Sequence, residues 1–382
     1  MFRFFSVDDH IIEPADVWTS RVPAKYRDVA PHVVEEGDRQ FWEFEDQRIT
    51  TMGTNAVVGK PPDEWSVEPI SFDDMRRACY DPVLRAADLR SQGIFASVNF
   101  PTLPRFGGAL FAGFKDKVLA HHCVRAWNDF LIDEWCAADP DMFVPMVIVQ
   151  LWDPELAAEE IQRCIEKGAK AVCFVENTTP LGLPSLHDES HWDPIFGLCE
   201  EAELPVCMHI GSSGSSSVPD PKTPMIVTFA SVAFAGAALA SINMMMSPVP
   251  RRFPNIKLVW SEGGIGWVPA AMERADRQYA RHLWSHASND LMPSEVCRRN
   301  MWFCMIEEPV GIKYRHDFEI DHILWESDYP HADTPFPNTQ ENASEVFAGV
   351  PQDEIDLITH RNAEQLFHHQ LVGPQPAGTS AG

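Results

Sequence analysis

MFVPMVIVQLWDPELAAEEIQRCIEKGAKAVCFV, residues 142–175, holds two apolar runs joined by one amphipathic stretch. Met142–Val149 and Ala169–Val175 are short, continuous and rich in branched side chains, the pattern of strands buried on both faces. Between them, Asp153-Pro154-Glu155 places an N-cap ahead of a proline at the first helical position. Leu156, Ile161, Cys164 and Ile165 then recur at helical spacing, and Gly168 supplies the stop. Strand, helix and strand in so short a span require a crossover, and a crossover implies parallel pairing.

Six further runs of the same kind are Phe2–Val7, Ile94–Asn99, Leu204–His209, Ile256–Trp260, Met301–Met305 and His322–Trp325. With the two above they match the strand number of a closed α/β barrel, so the expected fold is a (β/α)8 TIM barrel over residues 1–370. Residues 20–81 do not fit the alternation. Arg39–Phe44 alternates and is followed by Glu45-Asp46-Gln47, so this insertion after the first strand is expected to carry a small hairpin and to cap the site. Residues 371–382, ending in GPQPAGTSAG, read as a disordered tail.

Composition narrows the partners. Thirty Lys and Arg against 56 Asp and Glu leave a net charge of −26, which repels phosphate backbones and excludes nucleic acid. The nine cysteines include no CxxC pair, and several lie in apolar runs, which suits reduced thiols in the cytoplasm. The first residues, MFRFFSVDDH, show no secretory pattern. Met225–Met246 is long and apolar enough to suggest a membrane span, but it is rich in Ala, Ser and Gly and carries Asn243. It is expected to be a buried helix at a subunit interface rather than a span, with no membrane partner.

In such a barrel the chemistry sits at the C-terminal ends of the strands. The first run ends in Asp8-Asp9-His10, and in an extended chain Asp8 and His10 point to one face, as two ligands from one strand would. The fifth run closes on His209 before Gly211-Ser212-Ser213-Gly214. The eighth leads into Glu326-Ser327-Asp328-Tyr329-Pro330-His331, and a buried Asp328 requires a cation. Each signal alone has an ordinary structural explanation. Together Asp8, His10, His209 and Asp328 form a donor set for one divalent ion, zinc first, with manganese or iron as alternatives.

These same residues carry a resemblance. Val7–Pro14, Leu204–His209, Trp260–Trp267 and Glu326–His331, with His187–Pro194 ahead of the fifth strand, resemble in order the signatures of one branch of the amidohydrolase superfamily. That branch contains aminocarboxymuconate-semialdehyde decarboxylase and gamma-resorcylate decarboxylase. The resemblance implies a metal-dependent enzyme, with Asp8 and His10 closer to the acidic-x-His pattern of the second. It also implies a small-molecule substrate, a planar aromatic or unsaturated acid, and a homodimer. The branch often has a catalytic histidine after strand six, where this chain has Ser261-Glu262-Gly263-Gly264.

Two roles for Glu262 stand side by side: acid or base in place of that histidine, or a structural partner of the site or of an arginine. Asp328 and His331 are the other candidates for handling a proton. Trp192, Trp267 and Tyr329, with Phe100, would suit a flat substrate. Glu176 is expected in the wall of the site rather than as a ligand to a second ion. Decarboxylation is the first reading; hydrolysis of a C–N or C–O bond by a metal-activated water is the second. A ligand-binding barrel without activity is the third.

Overall fold

The strand–helix–strand unit of residues 142–175 forms as its pattern requires. Asp153 accepts hydrogen bonds from the amides of Glu155 and Leu156, capping the helix Pro154–Glu166. That helix buries Ala157, Ile161 and Cys164, together with Glu160, whose carboxylate accepts from Asn128 and pairs with Arg163. Pro145 has no amide to donate and interrupts the first strand, so the two halves turn to different neighbours.

This is a computed structural model, and it describes residues 1–37, 39–214, 220, 222–286 and 291–373. Its barrel strands are β1 (Phe4–Ile11), β2 (Ile94–Pro101), β3 (Phe143–Val144 with Met146–Val147), β4 (Ala171–Val175), β5 (Val206–His209), β6 (Leu258–Ser261), β7 (Met301–Met305) and β8 (Ile323–Trp325). Every neighbouring pair from β1 to β8 is parallel, with β3 passing the ladder from β2 to β4 across Pro145. Closure from β8 to β1 uses hydrogen bonds beyond the end of the β8 ladder. The amide of Asp328 donates to the carbonyl of Asp8 at 2.8 Å, and that of Ser327 donates to Ser6 Oγ at 2.9 Å. Phe4 and Trp325 pack across the same seam, with ring centroids 4.2 Å apart. The fold is the expected (β/α)8 barrel.

The apolar runs find their strands with one informative shift. β1 continues past Val7 to Ile11, so Asp8, Asp9 and His10 lie inside the strand and are buried. Polar residues marked the end of the run by composition, yet they are paired or site-facing here and do not end the strand. The stretch after β1 builds more than a hairpin. Arg39–Phe44 pairs with Gln47–Ile49 as expected, and His32–Glu36 adds a third antiparallel strand. That strand is half-exposed and charged, so it lacks an apolar signal. The Val57 amide bonds to the Pro330 carbonyl at 3.1 Å, which puts this segment beside the loop that follows β8. At the other end, Leu371, the first residue of the expected tail 371–382, is instead buried with its amide held by Glu364, and residues 374–382 lie outside the described residues.

Met225–Met246 is a helix, but its burial differs from expectation. Only Ala237, Ala240, Ser241, Met244 and Met245 are buried, whereas Val227 and Leu239 are 67% and 66% exposed. An all-apolar helix has no polar stripe to say which face turns inward, so its pattern could not reveal that the first half stands clear of the core. Among the described residues it is the one helix long and apolar enough to cross a membrane, which for a single helix is weak evidence of a span.

Candidate metal centre

Successive side chains of β1 point to opposite faces, and the three polar residues at its end divide accordingly. Asp9 faces away from the barrel axis. One of its oxygens accepts from Ser97 Oγ on β2; the other accepts from Ser327 Oγ and from the Tyr329 amide at 3.0 Å. One carboxylate therefore ties together β1, β2 and the loop after β8. Arg85, fully buried on the helix Pro82–Ser91, donates to the carbonyls of His10 at 2.7 Å and Ala78 at 2.8 Å, and lies 4.2 Å over the Tyr329 ring. Replacing Arg85 with Met leaves those acceptors unpaired. The expected cost is about 3–5 kcal/mol of stability, read as a lower urea midpoint at unchanged slope.

Asp8 and His10 face the other way, into the mouth of the barrel. His10 Nε2 lies 3.3 Å from Asp8 Oδ1, 3.3 Å from Asp328 Oδ1 and 3.1 Å from His209 Nε2. His209 Nε2 is in turn 3.4 Å from Asp8 Oδ2 and 3.1 Å from Glu262 Oε2. The Nδ1–H of His209 donates to the Ile210 carbonyl at 2.7 Å, which leaves the Nε2 lone pair aimed at the other groups. Asp8, His10, His209 and Asp328 are all buried, and neither oxygen of Asp8 accepts a hydrogen bond from a described residue.

Such an arrangement is costly without a cation. Two buried carboxylates without a cationic partner each cost several kcal/mol. Burial, then repulsion from Glu326, Asp328 and Glu262, pushes the Asp8 carboxyl up; burial and Asp333 do the same to Asp328. Burial lowers His209 and His331 to about 3, so both imidazoles are neutral and available as donors at neutral pH. The ligand atoms of Asp8, His10 and His209, and those of His10, Asp328 and His331, lie within 4.8 Å of one another. Imidazole nitrogens and carboxylate oxygens at this spacing fit a divalent transition metal.

Glu262 enters from the end of β6. Its backbone is left-handed, with φ at 58°, and so is that of Asp328, with φ at 51°. That conformation costs a non-glycine residue about 1–2 kcal/mol and persists where surrounding bonds enforce it. At β6 they do: both oxygens of buried Glu326 lie 3.1 Å from the Glu262 amide, and Trp267 Nε1 donates to the Gly263 carbonyl at 2.7 Å. The Glu262 side chain is 21% exposed, more than any other group at the centre.

The family profile for amidohydrolases matches residues 15–368. The chain belongs to the amidohydrolase family. A gamma-resorcylate decarboxylase of Rhodococcus jostii is 27% identical over 326 residues, 81% of this chain and 92% of the relative. Among solved structures, an amidohydrolase from Mycobacterium avium subsp. paratuberculosis superposes with a TM-score of 0.75 at 24% identity, covering 96% of this chain and 99% of that one. A dihydroxybenzoic acid decarboxylase of Polaromonas, solved with manganese and 2-nitroresorcinol, reaches 0.64 at 17% identity, covering 96% and 97%.

Not every residue singled out in the sequence reaches the centre of this amidohydrolase. Trp192 is wholly buried, with its indole bonded to the carbonyls of Pro184 and Ser185, so it has no surface for a substrate. Tyr329 is equally buried, and its hydroxyl donates to Asp88 at 2.7 Å. Trp267 is spent on Gly263 and the Phe303 ring. Trp192 and Tyr329 therefore pack as structure rather than line the mouth, whereas Trp267 keeps a half-buried ring. Glu176 accepts from Ser213 Oγ at 2.9 Å and steadies the start of the loop after β5. His331 does arrive. Its ring stacks on His10 at 3.7 Å, its Nδ1 is 3.0 Å from Asp328 Oδ1, and its Nε2 has no hydrogen-bond partner among the described residues.

The aromatic residue missed in the sequence is Phe106. Its half-buried ring lies 3.9 Å from that of His209 and 4.9 Å from that of His10. The loop carrying it presses onto β4: a side chain at Gly107 would meet the Phe174 backbone at 2.8 Å, and the Gly107 amide donates to Cys173 Sγ. Buried Glu13 anchors the start of the loop by accepting from the amides of Thr102 and Leu103, both at 2.9 Å. The pair of adjacent glycines at 107 and 108 was the available signal, since it marks a close backbone approach.

Proposed function

We propose that this amidohydrolase is a metal-dependent decarboxylase of a small, planar carboxylic acid, aromatic or unsaturated. The observation that carries the reading is the convergence of Asp8, His10, His209, Asp328 and Glu262, with Glu262 the most exposed side chain of the group. The named decarboxylases among its relatives support the choice of reaction. A divalent ion held by His10, His209, Asp8 and Asp328 supplies Lewis acidity and a fixed charge to orient the substrate's carboxylate.

The chain's own groups do the rest. Phe106 packs against the imidazoles of His209 and His10, and an apolar ring beside the donor set suits a flat substrate. The bond between the ring carbon and the carboxylate breaks, carbon dioxide leaves, and the electron pair left on carbon takes a proton from the Glu262 carboxyl. Manganese is favoured over zinc, because Asp8 and Asp328 set two carboxylates beside the two imidazoles and move the donor set toward oxygen, and the Polaromonas neighbour was solved with manganese. Incubating the manganese-loaded protein with hydroxybenzoate-type acids is expected to release carbon dioxide in step with loss of the acid. Hydrolysis of ester or amide analogues in place of carbon dioxide release would overturn the reading.

The protein is further proposed to be a cytoplasmic homodimer. All nine cysteines are free and buried, as a reducing compartment allows. The uncharged helix Met225–Met246 exposes Ile226, Val227, Phe234 and Leu239 in a chain of charge −26, and a second copy would cover them. Leu239→Glu is expected to turn a dimer into a monomer in analytical ultracentrifugation; a wild-type monomer would contradict the proposal.

A further inference from the structure

We propose that Glu326 is a positioning residue that aims the Glu262 carboxylate at the reaction centre by gripping the Glu262 amide. This rests on the proton-carrying role given to Glu262 above, and adds a second carboxylate that acts without touching substrate. Glu326 follows β8 and is 1% exposed. Both of its oxygens are 3.1 Å from the Glu262 amide, a forked acceptor on a single donor. That amide belongs to a residue in the left-handed region, and in this conformation its Oε2 comes 3.1 Å from His209 Nε2.

The remainder of the turn after β6 is fixed by other means. A side chain at Gly263 would come 2.6 Å from the Ala237 methyl, so the exposed helix wedges the chain there. Glu308 accepts from the amides of Ile265 and Gly266. Only residue 262 depends on Glu326 among these bonds, so removing the Glu326 carboxylate releases one residue and leaves the turn anchored. Burying a carboxylate whose two oxygens turn to a single backbone amide is unfavourable for stability alone. An apolar residue would serve a purely structural position better.

The test compares Glu326→Gln, which keeps an oxygen acceptor, with Glu326→Ala, alone and combined with Glu262→Gln. In the crystal structure of Glu326→Ala, residue 262 is expected to leave the left-handed region and its carboxylate to move away from His209. This readout does not depend on knowing the substrate. If residue 262 keeps its conformation and its contact, the positioning role is wrong whatever the reaction. In turnover, Glu326→Ala is expected to lower kcat about 10²-fold with KM and metal content unchanged, and Glu326→Gln to restore most of it. In the Glu262→Gln background, Glu326→Ala is expected to cause no further loss; a full additional loss shows that Glu326 acts by another route and overturns the proposal. If wild-type protein releases no carbon dioxide while the structural shift occurs, the reaction assignment fails and the positioning role stands.

Discussion

His209→Ala is expected to empty the centre. The His209 ring brings Nε2 within reach of Asp8, His10 and Glu262, and its Nδ1–H is committed to the Ile210 carbonyl, so its lone pair is fixed on the centre. Without that nitrogen, the ligands left from the set are one imidazole and two mutually repelling carboxylates. Metal content after dialysis is expected to fall from one ion per chain to near none, and activity by about three orders of magnitude or more. Bound ion stabilises only the folded chain, by about 2.7 kcal/mol at a hundredfold excess over Kd, so manganese should raise the Tm of wild type and not of the variant. A variant that keeps both its ion and its thermal shift would remove His209 from the site.

Glu262→Gln is expected to have the second largest effect, with a different signature. Gln is nearly the same size and keeps the amide that Glu326 holds, so the turn after β6 should survive. What is lost is an ionisable proton beside the substrate, worth about 10²–10⁴-fold in kcat for general acid catalysis. Because His10, His209, Asp8 and Asp328 all remain, metal content should stay close to wild type, and a substrate analogue should bind with little change. Full activity in Glu262→Gln would assign the proton to Asp328 or His331. Loss of the ion along with activity would make Glu262 a ligand first.

The barrel was legible because its strands are buried on both faces and therefore read as unbroken apolar runs, as in Ala171–Val175 and Met301–Met305. Asp8, His10, His209 and Asp328 were legible for the same reason: each is a polar group standing where an apolar run meets the mouth, and the structure brings them together. Features set by distant packing were not. Asp9 resembles its neighbour Asp8 in sequence, and only the alternation of β1 sends it to Ser97, Ser327 and the Tyr329 amide. Trp192 and Tyr329 were drawn to the mouth by proximity to motifs, whereas their indole and hydroxyl are satisfied within the protein. Phe106 sits on a loop with no periodicity, and its place over His209 follows from how that loop lies on β4. The helix Met225–Met246 carries the same lesson, since uniform apolarity predicts burial without saying against what.

The central claim is one divalent ion held at the barrel mouth by residues of β1, β5 and the loop after β8. It is tested most directly by metal analysis of protein stripped with a chelator, reloaded with manganese and freed of excess, for wild type and for Asp328→Asn. Asn occupies the left-handed backbone of residue 328 as readily as Asp, so the fold is preserved while the charge is removed. The account predicts one ion per chain in wild type and much weaker retention in the variant. No stoichiometric ion in wild type, or equal retention in both, would contradict it.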